Sequence, residues 1–164
     1  MKCLAHFMAF IPAILCMILI FMFSAAPAEN SSEMSDGLSY KIVDAVGQLP
    51  FFHWDDTEKA TKAEMIHIPL RKTAHFSEYA ILAVLWAAPL GLFLKKTWKR
   101  LGLAFIICVL YACTDELHQL FVPGRDGNIR DVLIDGAGAA VGILLWSIVY
   151  GRRAMRTGKR KSTT

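Results

Sequence analysis

The chain has 164 residues, of which 55% are hydrophobic and 20% charged, with a formal net charge of +4. Its apolar residues come in long blocks and are not interleaved with charge, which argues against a soluble core and for a polytopic membrane protein. The excess positive charge sits beside those blocks, where anionic lipid attracts juxtamembrane bases, and does not suggest a nucleic-acid binder.

The first block, residues 4–23, approaches the roughly 20 residues that cross a hydrocarbon core of about 30 Å. It contains no acid. Lys2, the apolar run and Ala26-Pro27-Ala28 also have the pattern of a signal peptide with an A-x-A cleavage site. The run is longer than the usual signal-peptide core of about 7 to 15 residues, which favours a retained helix over a cleaved one.

Residues 28–70 are polar enough to leave the bilayer. Leu38, Ile42, Val46 and Leu49 recur near helical spacing and predict a short amphipathic helix at the membrane surface, stopped by Pro50. Phe51, Phe52, His53 and Trp54 follow as an aromatic anchor at headgroup level. A second helical piece over residues 57–67 leads to Pro69. Such a segment serves either as a lid over the bundle or as a passive interfacial linker; amphipathicity alone fits both.

Three further apolar blocks cover residues 74–94, 101–122 and 132–150. Lys95, Lys96, Lys99 and Arg100 lie between the first two of these, and Arg152, Arg153, Arg156, Lys159, Arg160 and Lys161 follow the last, with no acid in either group. The positive-inside rule places both basic segments in the cytoplasm, the second as a disordered tail, and the acid-rich segment from Glu29 to Glu64 outside. Four spans with both termini cytoplasmic satisfy these assignments together. Cys3, Cys16, Cys108 and Cys113 all fall in apolar sequence and predict reduced, buried thiols.

The acids in the last three blocks carry the functional signal, because a charge within a bilayer costs at least a few kcal/mol and is kept only where it is paired, hydrated or used. At about 1.5 Å of rise per residue, Glu78 lies roughly 24 Å from Leu94, Asp115 roughly 21 Å from Leu101 and Asp135 roughly 22 Å from Tyr150. Three carboxylates therefore reach one level and predict a polar cavity open to the outside. Helical spacing puts Arg71, His75, Glu78 and Tyr79 on one stripe, Asp115, His118 and Gln119 on another, and Asp131, Asp135, Gly138 and Gly142 on a third. Glu116 points about 100° away from Asp115, so the two are expected to face different neighbours.

Pro123-Gly124 predicts the turn between the last two helices. Arg71, Lys72, Arg125 and Arg130 then cluster at the mouth above the acids, where guanidinium groups suit an anionic headgroup or simply neutralise the carboxylates. His75 and His118 either bridge carboxylates structurally or serve as acid/base groups. His75, Glu78, Glu116 and His118 have metal-ligand chemistry but no H-E-x-x-H-type spacing, so no metal and no cofactor is expected.

The runs Arg71-Lys72-Thr73-Ala74-His75-Phe76-Ser77-Glu78-Tyr79 and Asp115-Glu116-Leu117-His118-Gln119-Leu120-Phe121-Val122-Pro123-Gly124-Arg125, with Asp131-Val132 followed by Gly138 and Gly142, resemble the VanZ-like family of bacterial membrane proteins. The resemblance covers the last three helices. It implies an inner-membrane protein related to one that gives low-level teicoplanin resistance, and its motif falls on His75, Glu78, Tyr79, Asp115, Glu116, Gln119, Arg125 and Asp131. It supplies no mechanism.

The expectation is an all-α polytopic membrane protein: a four-helix transmembrane bundle with short interfacial helices in the first outer segment. Residues 1–27 form the first transmembrane helix, 28–70 the extracytoplasmic segment, 71–151 a three-helix VanZ-like core and 152–164 the basic tail. Arg71, Lys72, His75, Glu78, Tyr79, Asp115, Glu116, Gln119, Arg125, Asp131 and Asp135 are the candidate ligand-binding residues. The expected partners are the lipid bilayer and a lipid-linked cell-wall precursor or lipoglycopeptide. Two readings compete with binding. One is an intramembrane enzyme acting on a lipid headgroup, with candidates His75, Glu78, Asp115, Glu116 and His118 and with Glu116 as acid; the other takes the charges as helix-packing glue.

Overall fold

Pro12 divides the first apolar block into α1 (Lys2–Met8) and α2 (Ile11–Ser24). Proline has no N–H to give the Met8 carbonyl and its ring crowds the preceding turn, so the chain tightens at Phe10, whose N–H bonds Phe7 O at 3.1 Å. This computed structural model describes the backbone of residues 2–161 and the side chains of residue 4 and residues 6–150. Among the described residues every regular element is a helix.

α3 (Ala28–Gly47) begins behind Pro27, with Glu29 in its first turn, where the helix dipole favours an acid. It is a full 20-residue helix, not the short one expected before Pro50. The predicted apolar stripe is not its buried face: Ser39 and Val43 are buried, while Leu38, Ile42 and Leu49 stay exposed. That face turns toward α4 (Asp56–Leu90), whose Ala63 is also buried. Lys59 Nζ donates to Asp44 Oδ1 at 2.7 Å and holds the two helices together. The bond keeps the Asp44 carboxyl below and the Lys59 amine above their ordinary ranges, so the pair is charged at neutral pH; it is released as acidification passes the lowered Asp44 value, or as alkali passes the raised Lys59 value.

α4 starts with a capping box. Glu58 N donates to Asp55 Oδ1 at 2.8 Å and Asp55 N to Glu58 Oε2 at 3.2 Å, satisfying two N–H groups that a helix start leaves unpaired. The separate piece expected over residues 57–67 does not exist, because α4 passes through Pro69 unbroken. Proline removes only the bond to the Met65 carbonyl, at a turn whose Met65 side chain is exposed. The next turns are reinforced by Thr73 Oγ1 donating to Pro69 O at 2.8 Å and Ser77 Oγ to Thr73 O at 2.7 Å. The boundary expected at residue 70 therefore falls inside a helix. At about 1.5 Å per residue α4 is roughly 50 Å long, well beyond a hydrocarbon core of about 30 Å.

α5 (Thr97–Gln119) and α6 (Ile129–Lys161) complete the bundle. Their connection turns on Pro123-Gly124, as expected: Arg125 N donates to Val122 O at 3.1 Å, and Gly124 has φ +74°, the pattern of a type II turn. α6 continues through the basic run to Lys161, past the end expected at Tyr150 and where a disordered tail was expected. Residues 162–164 of that tail lie outside the described residues.

α4 and α6 make the closest helix pair. A Cβ on Gly138 would meet the carbonyl of Phe76, and one on Gly142 the carbonyl of Ala80, so only glycine allows this backbone approach. Both sets of numbers rise together, which makes the two helices parallel. Tyr79, Leu82, Ala83, Cys108, Ala112 and Ala139 fill the core around Ile20 of α2. Cys16, Cys108 and Cys113 are free thiols, while Cys3 lies outside the described side chains.

Residues 6–24 (α1 and α2 together), α5, and α6 up to Tyr150 are each long and apolar enough to cross a membrane. The second half of α4, expected as a span, does not stand with them on composition. His75 and Glu78 dilute it, and they are also the residues that build the site.

Candidate functional site

The parallel register of α4 and α6 brings their polar stripes together one turn at a time. Lys72 Nζ bonds Asp131 Oδ1 at 2.9 Å, and one turn further on His75 Nδ1 stands 4.0 Å from Asp135 Oδ1. Gly138 against Phe76 comes next. Polar contacts therefore grade into backbone packing along a single seam, as the spacing of Asp131, Asp135, Gly138 and Gly142 predicts.

Asp135 is fully buried, yet neither of its carboxylate oxygens has a hydrogen-bond partner among the described residues. The same holds for His75 Nδ1, the Tyr79 hydroxyl, Asp115 Oδ1 and Ser24 Oγ. Asp135 and Asp115 both lie within electrostatic reach of Tyr79, and His75 lies close to Asp115, as does Ser24, whose hydroxyl faces that carboxylate in a contact too loose to satisfy it. Buried polar groups are bonded in the great majority of proteins, and leaving one unsatisfied costs about 1–3 kcal/mol. Five such side chains from α2, α4, α5 and α6 thus form a polar interior suited to water or a ligand group. Ser24 was not expected here: a lone serine in an apolar block carries little signal.

α5 contributes in a way its helical wheel does not show. Gln119 Nε2 donates to Asp115 Oδ2 and to Glu116 Oε1, both at 3.2 Å, so the two adjacent acids share one neighbour against expectation. Their side chains are long enough for the amide, one turn on, to bridge the 100° between them. Glu116 also accepts from the Asn128 N–H at 2.7 Å and so holds the start of α6. His118 stays within electrostatic reach of Asp115, packs its ring on Phe21 of α2 at 4.6 Å between centroids, and has its Nε2 buried without a hydrogen-bond partner among the described residues.

Arg125 is buried and faces the first helix. Its Nε donates to Ala26 O at 2.9 Å and its Nη2 to Phe23 O at 3.0 Å, which satisfies carbonyls at the C-terminal end of α2. The Ala28 N–H adds a bond to Pro123 O at 3.2 Å, and the Tyr111 hydroxyl bonds Met17 O at 2.6 Å. The first apolar segment is thereby stitched to α5 and its following turn. Arg130, expected at the mouth with Arg125, is exposed at the start of α6.

Arg71 has no ion-pair partner among the described residues. It lies between two cavities, one shared with Glu78 and one shared with Lys72 and Asp131. α3 walls both, with Ser31, Met34, Ser35 and Leu38 on the first and Ser32 and Ser35 on the second. These α3 residues escaped sequence reasoning; the only available signal was the spacing of Ser31, Ser35 and Ser39 along one helix face. His75, Glu78, Glu116 and His118 do not converge: among the described residues no three His, Cys, Asp or Glu side chains could hold a metal ion.

Long apolar helices closing around a buried polar cluster define a helical membrane protein with an internal polar site. Within that class, residues 9–150 match the model of the VanZ/LLP1 family, so the chain belongs to that family. Comparison with curated proteins and with solved structures gave no match.

Proposed function

We propose that this VanZ-family protein binds an anionic lipid-linked or lipidated ligand at the outer leaflet of the bacterial inner membrane and thereby alters glycopeptide susceptibility. The observation that carries this reading is the set of buried, unbonded polar atoms on Ser24, His75, Tyr79, Asp115 and Asp135, lying below an uncommitted Arg71. Lipid tails offer such groups nothing. A ligand or water held below a cationic rim offers them partners. The lipid-linked cell-wall precursors and lipoglycopeptides are the ligand classes whose recognition would reach glycopeptide sensitivity.

The topology that goes with this reading has four spans, the second half of α4 among them, and both termini in the cytoplasm. It rests on the charge asymmetry between the segment holding Glu29 to Glu64 and the basic residues Lys95 to Arg100. A cysteine replacing exposed Glu33 is expected to react with an impermeant thiol reagent in intact cells, and one replacing exposed Lys99 is not. The reverse labelling would put the site on the wrong side of the membrane.

The second reading, an intramembrane acid/base enzyme, is favoured by one contact, His75 Nδ1 at 4.0 Å from the unbonded Asp135 carboxylate. That pair suits proton transfer better than Glu116, which is occupied by Gln119 and Asn128. Purified protein incubated with lipid separates the classes: binding without turnover supports the first, and product formation that is lost in His75→Gln supports the second. In either case Asp115→Asn is expected to abolish function at near-wild-type protein level and melting temperature, because the amide keeps the shape and the bonding capacity. A fall in protein level and melting temperature instead would identify the charges as packing glue.

A further inference from the structure

We infer that the ligand is a phosphate-headed amphiphile, its phosphate held by Arg71 and Ser32 of α3 and its chain lying in the trench between α2, α3 and α4. This rests on the reading of the protein as a binder of an anionic lipid and names the chemistry and place of that ligand.

Two cavities meet at Arg71 and Ser35. The one on the polar side, about 160 Å³, is bounded by Ser32, His67, Lys72 and Asp131 as well. Lys72 neutralises Asp131 through their 2.9 Å contact, so the charge left over is that of Arg71. His67 Nδ1 is taken by the Glu64 carbonyl at 2.6 Å, leaving Nε2 as the ring atom available to a ligand. A planar guanidinium flanked by the Ser32 hydroxyl and an ammonium is a donor set matched to the several oxygens of a phosphate ester, while the Ser35 hydroxyl donates to Ser31 O at 3.0 Å within its own helix; a single carboxylate would leave part of the set unused.

The cavity on the other side, about 180 Å³, is mainly apolar, with Phe23, Met34, Leu38 and Leu70 as its walls and Glu78 beside them. Free phosphate has no use for such a wall. A ligand that puts phosphate on Arg71 and an apolar chain against Leu38 uses both cavities at once, and the chain leaves along the exposed Met34 and Leu38 side of α3. This also explains why α3 keeps large apolar side chains exposed while turning serines toward α4.

The test uses the full chain in detergent micelles or nanodiscs, with dodecyl phosphate as the probe, inorganic phosphate as competitor and dodecyltrimethylammonium as the cationic control. Wild-type protein is expected to bind dodecyl phosphate and not the ammonium amphiphile. Arg71→Gln is expected to weaken that binding by about tenfold or more, since a hydrogen bond to a charged group is removed. Leu38→Trp, which fills the trench, is expected to weaken dodecyl phosphate comparably while inorganic phosphate still competes for whatever binding remains. Lys41→Gln, an exposed change on α3, is the control for helix integrity, and melting temperature is read on every sample.

If Leu38→Trp leaves dodecyl phosphate binding unchanged, the chain does not lie in the trench, and the inference falls. It falls equally if Arg71→Gln is neutral or if the ammonium amphiphile binds as well. The broader reading fails separately, if neither dodecyl phosphate nor phosphatidylglycerol binds the wild-type protein. Phosphatidylglycerol bound by wild type, lost in Asp115→Asn and kept in both Arg71→Gln and Leu38→Trp would preserve the broader reading and overturn this placement.

Discussion

Replacing Gly138 by alanine is expected to be among the most damaging single-methyl changes in this chain, alongside Gly142, which meets the Ala80 backbone as closely. The added Cβ would lie 2.9 Å from the carbonyl carbon of Phe76 and 3.0 Å from its Cα, and closer still to its carbonyl oxygen. The obstacle is backbone, so no rotamer change relieves it, and α4 must move away from α6. Overpacking typically costs about 1–3 kcal/mol, and a clash with helix backbone belongs at the upper end. The same movement opens the contacts Lys72 to Asp131 and His75 to Asp135, which cross the same seam. Thermal unfolding of the purified protein checks this, with Ala137→Val on the exposed face of α6 as the control. Equal melting temperatures for the two variants would show that the helices are not in backbone contact.

Arg125→Lys is expected to release the first helix. Arginine reaches Ala26 O and Phe23 O with two nitrogens of one rigid fork, at 2.9 and 3.0 Å. A lysine ammonium can serve one of these carbonyls at most from a buried position, and a buried acceptor left without a donor costs about 1–3 kcal/mol. The expected signs are a lower melting temperature and faster proteolysis between Ser24 and Glu29. Arg130→Lys should change neither, since Arg130 is exposed and only its backbone N–H is bonded, to Asn128 Oδ1 at 3.0 Å. Equal behaviour of the two variants would mean that Arg125 acts only through its charge, as it would if it served the acids and not α2.

The contrast between these two glycine and arginine sites shows what a sequence can carry. Gly138 and Gly142 sit in register with Asp131 and Asp135, so helical period alone puts them on one stripe, and the seam with α4 follows from it. The same periodicity placed His75 with Tyr79. Arg125 offered no such clue, because its partners are backbone carbonyls 99 and 102 positions earlier, and any residue type presents a carbonyl. Its neighbourhood with Asp115 and Glu116 in sequence pointed to the acids, which do lie within electrostatic reach of it, and gave no sign of α2.

Proline produced two opposite outcomes. Pro12 breaks its helix, while Pro69 and the buried Pro89 are both kept inside α4, with hydroxyls reinforcing the turns after Pro69. Composition identifies proline as a breaker in all three places and cannot supply the packing that decides. The candidate site shows the same limit: its ionisable members were legible because charge is rare in apolar blocks, whereas Ser24 and the serines of α3 became part of it only through the packing of α2 and α3 against the rest.

The central claim, that the polar interior below Arg71 receives an anionic lipid-like molecule, is tested most directly by lipid mass spectrometry on the gently extracted protein beside its Asp115→Asn variant. The account predicts that wild-type protein carries an anionic lipid enriched over the surrounding membrane, and that the variant, extracted at equal level and equally folded, has lost the enrichment. Lipid matching the bulk membrane on the wild type, or the same enrichment on both proteins, would contradict it.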